Sequence, residues 1–152
     1  MALDGVVPAA PCNSPSTRID NVTSSTSTVR VRYAETDQMG IVYYANYLVW
    51  MEVARVDYCK AIGFHYKNME LEDGILLAVA ESHCRHVSPA KFDDNVEIAT
   101  TVTEKNRRMV TFSYEMTCEG RRLATGWTKH IFLDRSLRPV RLPEKYIQLF
   151  EM

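Results

Sequence analysis

Thr36-Asp37-Gln38-Met39-Gly40-Ile41-Val42-Tyr43-Tyr44-Ala45-Asn46-Tyr47 is where the chain changes period, and reading it decides the fold. Before it, Thr28-Val29-Arg30-Val31-Arg32-Tyr33 alternates apolar and polar residues, which predicts a first strand. After it, Tyr47, Trp50, Met51, Ala54 and Tyr58 share one helix face, while Glu52, Arg55 and Lys60 fall elsewhere. Gly63 supplies a C-terminal stop. The spacing therefore predicts a helix from Asn46 to Ile62, about 25 Å long at ~1.5 Å per residue. Its broad, aromatic face predicts burial against a sheet. The linker carries one carboxylate, Asp37, three residues ahead of Gly40 and close to the helix start.

Outward from that helix the chain reads as strand. Ile75 to Val87 is a long apolar-to-polar run. Asn95 to Glu104 sets Val96, Ile98 and Val102 on one side and Thr101 and Thr103 on the other. Met109 to Cys118 aligns Val110, Phe112, Tyr114, Met116 and Cys118, and Leu123 to Leu133 alternates through Trp127 and Ile131. Lys105 to Arg107 and Glu119-Gly120 read as tight turns. Long strands with short connections make an antiparallel meander. Pro143 to Phe150 predicts a short terminal helix with Pro143 in its first turn. The fold class is α+β, with the sheet curled around one long helix.

At 152 residues the chain is long enough for one domain with a sizeable core. Its net charge of -1 argues against general binding to nucleic acid or to a membrane surface. No apolar run approaches the ~20 residues of a membrane span. Cys12, Cys59, Cys84 and Cys118 are scattered, with no C-x-x-C, and read as free thiols in a reducing, cytoplasmic setting. His65, His83, His86 and His130 show no metal-ligand spacing, so no metal is expected. Residues 1–27 are rich in Pro, Ser and Thr and read as a disordered tail, which leaves 28–152 as the domain. They lack the charged and apolar regions of a secretory signal.

The stretch Arg32-Tyr33-Ala34-Glu35-Thr36-Asp37-Gln38-Met39-Gly40-Ile41-Val42-Tyr43-Tyr44-Ala45-Asn46-Tyr47 resembles the signature of the 4-hydroxybenzoyl-CoA thioesterase group of hotdog-fold enzymes. In that signature an Asp is followed by two variable residues, a Gly, two aliphatics, an aromatic, and then Asn-Tyr before a helix. The resemblance continues through Ser88-Pro89-Ala90-Lys91-Phe92-Asp93-Asp94 and covers roughly Thr28 to Pro143. It implies a hotdog fold, sites at a dimer interface, and homodimers often paired into tetramers. It also implies hydrolysis of an acyl-CoA substrate without metal or cofactor. The catalytic Asp of the family falls on Asp37, and the N–H that contacts the thioester carbonyl falls at about Tyr44. Members of a related bacterial branch carry a His where this chain has Tyr44.

The chemistry such a reaction needs is present in the residues. A leaving thiol with pKa near ~8.5 departs without a strong general acid, so one carboxylate suffices. Asp37 can attack the carbonyl and form a mixed anhydride, or it can activate water. The alternative is that Asp37 only caps a turn, the common job of an Asp in such a loop. The helix N-terminus offers N–H groups and a positive dipole to the oxyanion, and Gly40 lets the backbone turn close to the substrate. Val42, Tyr43, Asn46 and Tyr47 are candidates for binding the substrate, and one or two of the aromatic side chains here could line an acyl pocket. Arg85, His86, Lys91, Arg107 and Arg108 are candidates for the CoA phosphates. Glu52 is a rival carboxylate, but its helical phase points to a solvated pair with Arg55; the role of Glu35 stays open. A carrier-protein thioesterase on the same fold and a non-catalytic acyl-CoA-binding protein are the competing readings. A dehydratase lacks a His in the organising stretch.

Overall fold

The computed structural model describes residues 24–150. Strand β1 (Ser24–Arg30) leads into a single 3-10 turn (Tyr33–Glu35), the Asp37 loop and helix α1 (Asn46–Ala61). The short helix α2 (Tyr66–Asn68) and one wide turn (Met69–Asp73) follow. Then come β2 (Leu76–His86), β3 (Asn95–Asn106), β4 (Met109–Cys118) and β5 (Arg121–Leu133). The chain closes with α3 (Glu144–Ile147) and a 3-10 turn (Gln148–Phe150). All strand pairs are antiparallel, in the order β1-β3-β4-β5-β2. The meander predicted from the sequence is therefore the centre of the sheet, and β1 and β2 are its edges. This is the hotdog arrangement, with α1 as the filling.

The sheet curls because its ladder is interrupted. Register shifts occur between Val79 and Glu81, between Val102 and Glu104, and between Met116 and Thr117. Each bulge increases local twist and bends the strand around α1. The helix buries Tyr47, Trp50, Met51, Ala54, Tyr58 and Cys59. Five of these are the face read from the sequence, and Cys59 joins them. Val96, Ile98, Val110, Phe112, Tyr114 and Met116 meet that face from the sheet. Each large side chain fully buried there contributes about 2 kcal/mol.

Helix and sheet come close together at Gly126 in β5. A Cβ there would lie 2.4 Å from the His83 carbonyl oxygen and 2.4 Å from the Met51 methyl. Glycine inside a strand marks such a close approach. Gly126→Ala is expected to lower unfolding stability by about 2 kcal/mol through overpacking, read from denaturant melts.

Two expectations are corrected. The tail does not extend to residue 27, because Ser24 to Ser27 belong to β1 and pair with Ile98 to Thr101 of β3. The composition is polar, but an edge strand needs only one partner ladder, and the Ser27 hydroxyl donates to Asp57 Oδ2 at 2.9 Å. The rest of the expected tail, with Cys12, lies outside the described residues. The first strand also ends at Arg30 rather than Tyr33. The Arg32 N–H donates to Glu35 Oε2 at 2.8 Å, which closes the 3-10 turn instead.

Candidate active site

The Asp37 loop is a tight hairpin held by its own backbone. The Asp37 N–H donates to the Ile41 carbonyl and the Gly40 N–H to the Asp37 carbonyl, each at 2.9 Å. Thr36 and Val42 pair across it. Gly40 has φ +75°, a conformation that favours glycine. Asp37 Oδ1 accepts the Met39 N–H at 2.8 Å, so the carboxylate does cap its own turn. Oδ2 accepts no hydrogen bond from the described residues. The carboxylate is half-buried and thus retains one unengaged oxygen at the loop surface.

The loop runs straight into α1. The N–H groups of Asn46, Tyr47 and Leu48 bond back to the carbonyls of Tyr43, Tyr44 and Ala45, and the Tyr43 N–H donates to Glu35. Among the described residues, nothing accepts the N–H of Tyr44 or Ala45. These are donors that a helix start leaves open, at the positive end of the dipole. Asp37 and Tyr44 line one cavity of about 310 Å³. Its apolar walls come from Met39, Ile41, Val42 and Tyr47, and its far side from His86 and Ser88-Pro89. Tyr47 anchors that far side: its hydroxyl accepts the Ala90 N–H at 3.2 Å and its ring meets His86 edge-on at 4.7 Å. Burial raises the Tyr47 phenol above its ordinary range.

Glu35 is the brace beneath this arrangement. Its side chain is buried and accepts from the Arg32 guanidinium at 3.0 Å, the Arg32 N–H and the Trp50 indole at 3.0 Å. Its carbonyl accepts the Tyr43 N–H and the Asn46 amide, each at 2.9 Å. One residue thus ties the Asp37 loop to the first two turns of α1. Burial pushes its carboxyl up, but the hydrogen bonds from Arg32 and Trp50 outweigh that and hold it below the usual range. Glu35→Ala leaves the Trp50 indole N–H buried without a partner. Urea unfolding is expected to show a loss of about 2 kcal/mol.

The candidate residues from the sequence separate into groups. Asp37, Tyr44, Val42, Tyr47 and His86 line the one cavity, and Gly40 shapes its loop. Lys91 lies two residues beyond the Ser88-Pro89 wall. Asn46 does not face the cavity; its amide is bound to the Glu35 carbonyl. Tyr43 packs its ring at a tilt against Tyr44, centroids 4.6 Å apart, outside the cavity lining. Arg85 neighbours His86 on β2 and so points to the other sheet face. Arg107 and Arg108 are not brought to Asp37 within the chain. They form the β3–β4 turn, at the opposite end of the sheet, roughly 35 Å along β3. There Arg107 pairs with Glu144 at 3.2 Å and its carbonyl accepts the Leu142 N–H.

The expected Glu52–Arg55 pair is also absent among the described residues: Glu52 is exposed, while Arg55 turns inward to Tyr66 and His130. Sequence reading missed Arg121, whose guanidinium donates to Ser88 Oγ and the Pro89 carbonyl, each at 2.9 Å. Only its place after the Glu119-Gly120 turn signalled it, and that carries no information about which loop the turn meets.

With this geometry in hand, likeness to known proteins becomes informative. The model of the thioesterase-like superfamily matches residues 31–150. The chain is 36% identical over 120 residues to the putative acyl-CoA thioesterase YneP of Bacillus subtilis, covering 78% of this chain and 86% of that protein. The DHNA-CoA thioesterase of Staphylococcus aureus superposes with a TM-score of 0.81 at 32% identity, covering 84% of this chain and 89% of that one. The 4-hydroxybenzoyl-CoA thioesterase of Pseudomonas sp. strain CBS-3 superposes with a TM-score of 0.77 at 23% identity, over 84% of this chain and 99% of that one, a likeness of fold.

Proposed function

Because the chain belongs to the thioesterase-like superfamily and is a thioester hydrolase, we propose that it hydrolyses an acyl-CoA to the free acid and CoA in the Asp37 cavity. One observation carries this reading: Asp37, whose carboxylate keeps an unengaged oxygen, and Tyr44, whose N–H finds no acceptor among the described residues, line the same cavity at a helix start. The thioester carbonyl accepts from the Tyr44 N–H, where the helix dipole favours developing negative charge. Asp37 delivers the attacking oxygen, its own or that of a water it deprotonates. The C–S bond breaks, and the thiolate leaves and is protonated by solvent; where Asp37 itself has attacked, water then opens the mixed anhydride, which releases the acid and restores the carboxylate. No metal or cofactor is required by these steps. The apolar walls take the acyl group, and the CoA phosphates take their cations from Arg121, which is bonded to the Ser88-Pro89 wall, and from Lys91, two residues beyond that wall.

The protein acts as a homodimer or a pair of homodimers in this reading. Among the described residues edge strand β2 pairs on one side only, with Val79 exposed, and α1 presents Leu48, Val49 and Val53 to solvent. Among the described residues Cys59, Cys84 and Cys118 are free thiols, which suits a reducing, cytoplasmic setting.

Thiol release measured across aromatic and aliphatic acyl-CoAs tests the assignment and names the acyl class. Turnover of at least one acyl-CoA is expected. Release only from acylated carrier protein points to the carrier-protein enzyme, and binding without release points to a non-catalytic protein. A single turnover in ¹⁸O-water then resolves the first step, since label recovered in Asp37 requires a mixed anhydride.

A further inference from the structure

A second cavity, of about 330 Å³, lies away from Asp37, between the C-terminal half of α1, the α2 segment and the start of β2. Arg55 forms part of its wall. The Arg55 Nε donates to the Tyr66 hydroxyl at 3.2 Å, and its Nη1 lies 3.3 Å from His130 Nε2. A guanidinium can only donate, so Nε2 is the acceptor and the His130 proton sits on Nδ1. His130 Nε2 also lies 2.8 Å from the Thr128 hydroxyl, which meets the Tyr114 hydroxyl at 2.8 Å.

The side chains that hydrogen-bond this guanidinium, Tyr66 and His130, are neutral. Burial, then the charge of Arg55, push His130 down to about 3. Burial raises the Tyr66 phenol, and it pushes the Cys59 thiol beside it up to about 12. No carboxylate lies within ion-pair distance of Arg55 among the described residues. The network therefore fixes the guanidinium in place without compensating its charge. Arg55 is half-buried, so a fixed guanidinium faces the cavity where it can donate to an anion. Around it, Val56 and Leu77 supply apolar wall. The lining carries three permanent cations, Arg55, Lys60 and Lys67, against Glu52 and Glu70. A surplus of one positive charge suits a monoanion.

We propose that this cavity is a second binding site, for a small organic monocarboxylate whose carboxylate faces Arg55 and whose apolar body lies on Val56 and Leu77. His130 is its positioning residue, because it holds the guanidinium without lining the cavity, while Tyr66 both holds the guanidinium and forms part of the wall. The site does not depend on the Asp37 reading, since the two cavities share no lining residue.

Benzoate and its neutral isostere benzamide are the probes, titrated into the full chain and followed by calorimetry and by backbone amide NMR shifts. Benzoate is expected to bind saturably at millimolar levels, to shift amides of residues 55–77, and to bind at least tenfold tighter than benzamide. Chloride at the same ionic strength is expected to shift none of them. Arg55→Gln is expected to abolish benzoate binding. Leu77→Trp fills the cavity while keeping the charge, and is expected to abolish it too, so the result stands even if loss of Arg55 unfolds the chain. Asp37→Asn is expected to bind benzoate as the wild type does. Equal binding of benzamide, shifts confined to residues 37–47, binding that survives Leu77→Trp, or no saturable binding each overturns the proposal.

Discussion

Asp37→Asn is expected to lower kcat/KM for acyl-CoA hydrolysis by about 10²-fold or more, a loss of ~3 kcal/mol in transition-state stabilisation. The variant separates catalysis from structure unusually well. In the turn, Asp37 acts through Oδ1, which accepts the Met39 N–H. An asparagine side-chain oxygen accepts the same bond, so the hairpin and its Gly40 conformation survive. Stability is expected to change by no more than ~0.5 kcal/mol, as for other surface substitutions that preserve the local bonds. The lost property is the negative charge, which neither attacks a carbonyl nor takes a proton from water once it becomes an amide. Thiol release and thermal melts run on the same preparations give the comparison. A variant that stays folded and retains a third or more of wild-type activity would show that Asp37 is only a turn residue.

Acid is expected to weaken the fold through His130. The group is fully buried, and its pKa is pushed from 6.5 down to about 3 in the folded chain by burial and by Arg55. Between those values the unfolded chain binds the proton and the folded chain does not. Stability is therefore fully present above about pH 7 and falls as pH drops toward the folded pKa. Integrating the linkage over about pH 7 to 4.5 gives a loss of about 2.5 kcal/mol. Glu35, Asp73 and Asp134, which hydrogen bonds hold below the usual carboxylate range, add losses of the same sign at lower pH. Denaturant unfolding across that range should show the slope. His130→Gln keeps an acceptor for Arg55 and has no proton to gain. It is expected to be less stable at neutral pH yet nearly flat from pH 7 to 5, and a slope matching the wild type would refute the assignment to His130.

Much of the architecture is written locally. The helical period after Asn46 and the stop at Gly63 place α1 within one residue of its observed end, because an amphipathic face is a repeat over adjacent residues. The alternation in Met109 to Cys118 identifies every buried residue of β4's core face in the same way. The Asp37–Gly40 spacing marks the loop, since only a turn with positive φ at its end asks for that glycine. The polar start of β1 was misread because Ser and Thr carry little periodic signal, and pairing with β3 orders them.

What the sequence by itself determined is the element order, the buried faces, and the turn that sets a carboxylate before a helix start. What tertiary structure alone decided is which distant residues meet. It carried Arg107 and Arg108 to the end of the sheet opposite Asp37, and brought Arg121 to Ser88 and Pro89. It made Glu35, an ambiguous carboxylate in the sequence, the buried brace of Trp50 and Asn46. It turned Arg55 from a solvated helix residue into the charged wall of a cavity by joining it to His130, 75 residues away. Local periodicity records which face of an element is apolar. It does not record which strand lies across from it, and the register of a curled antiparallel sheet settles that.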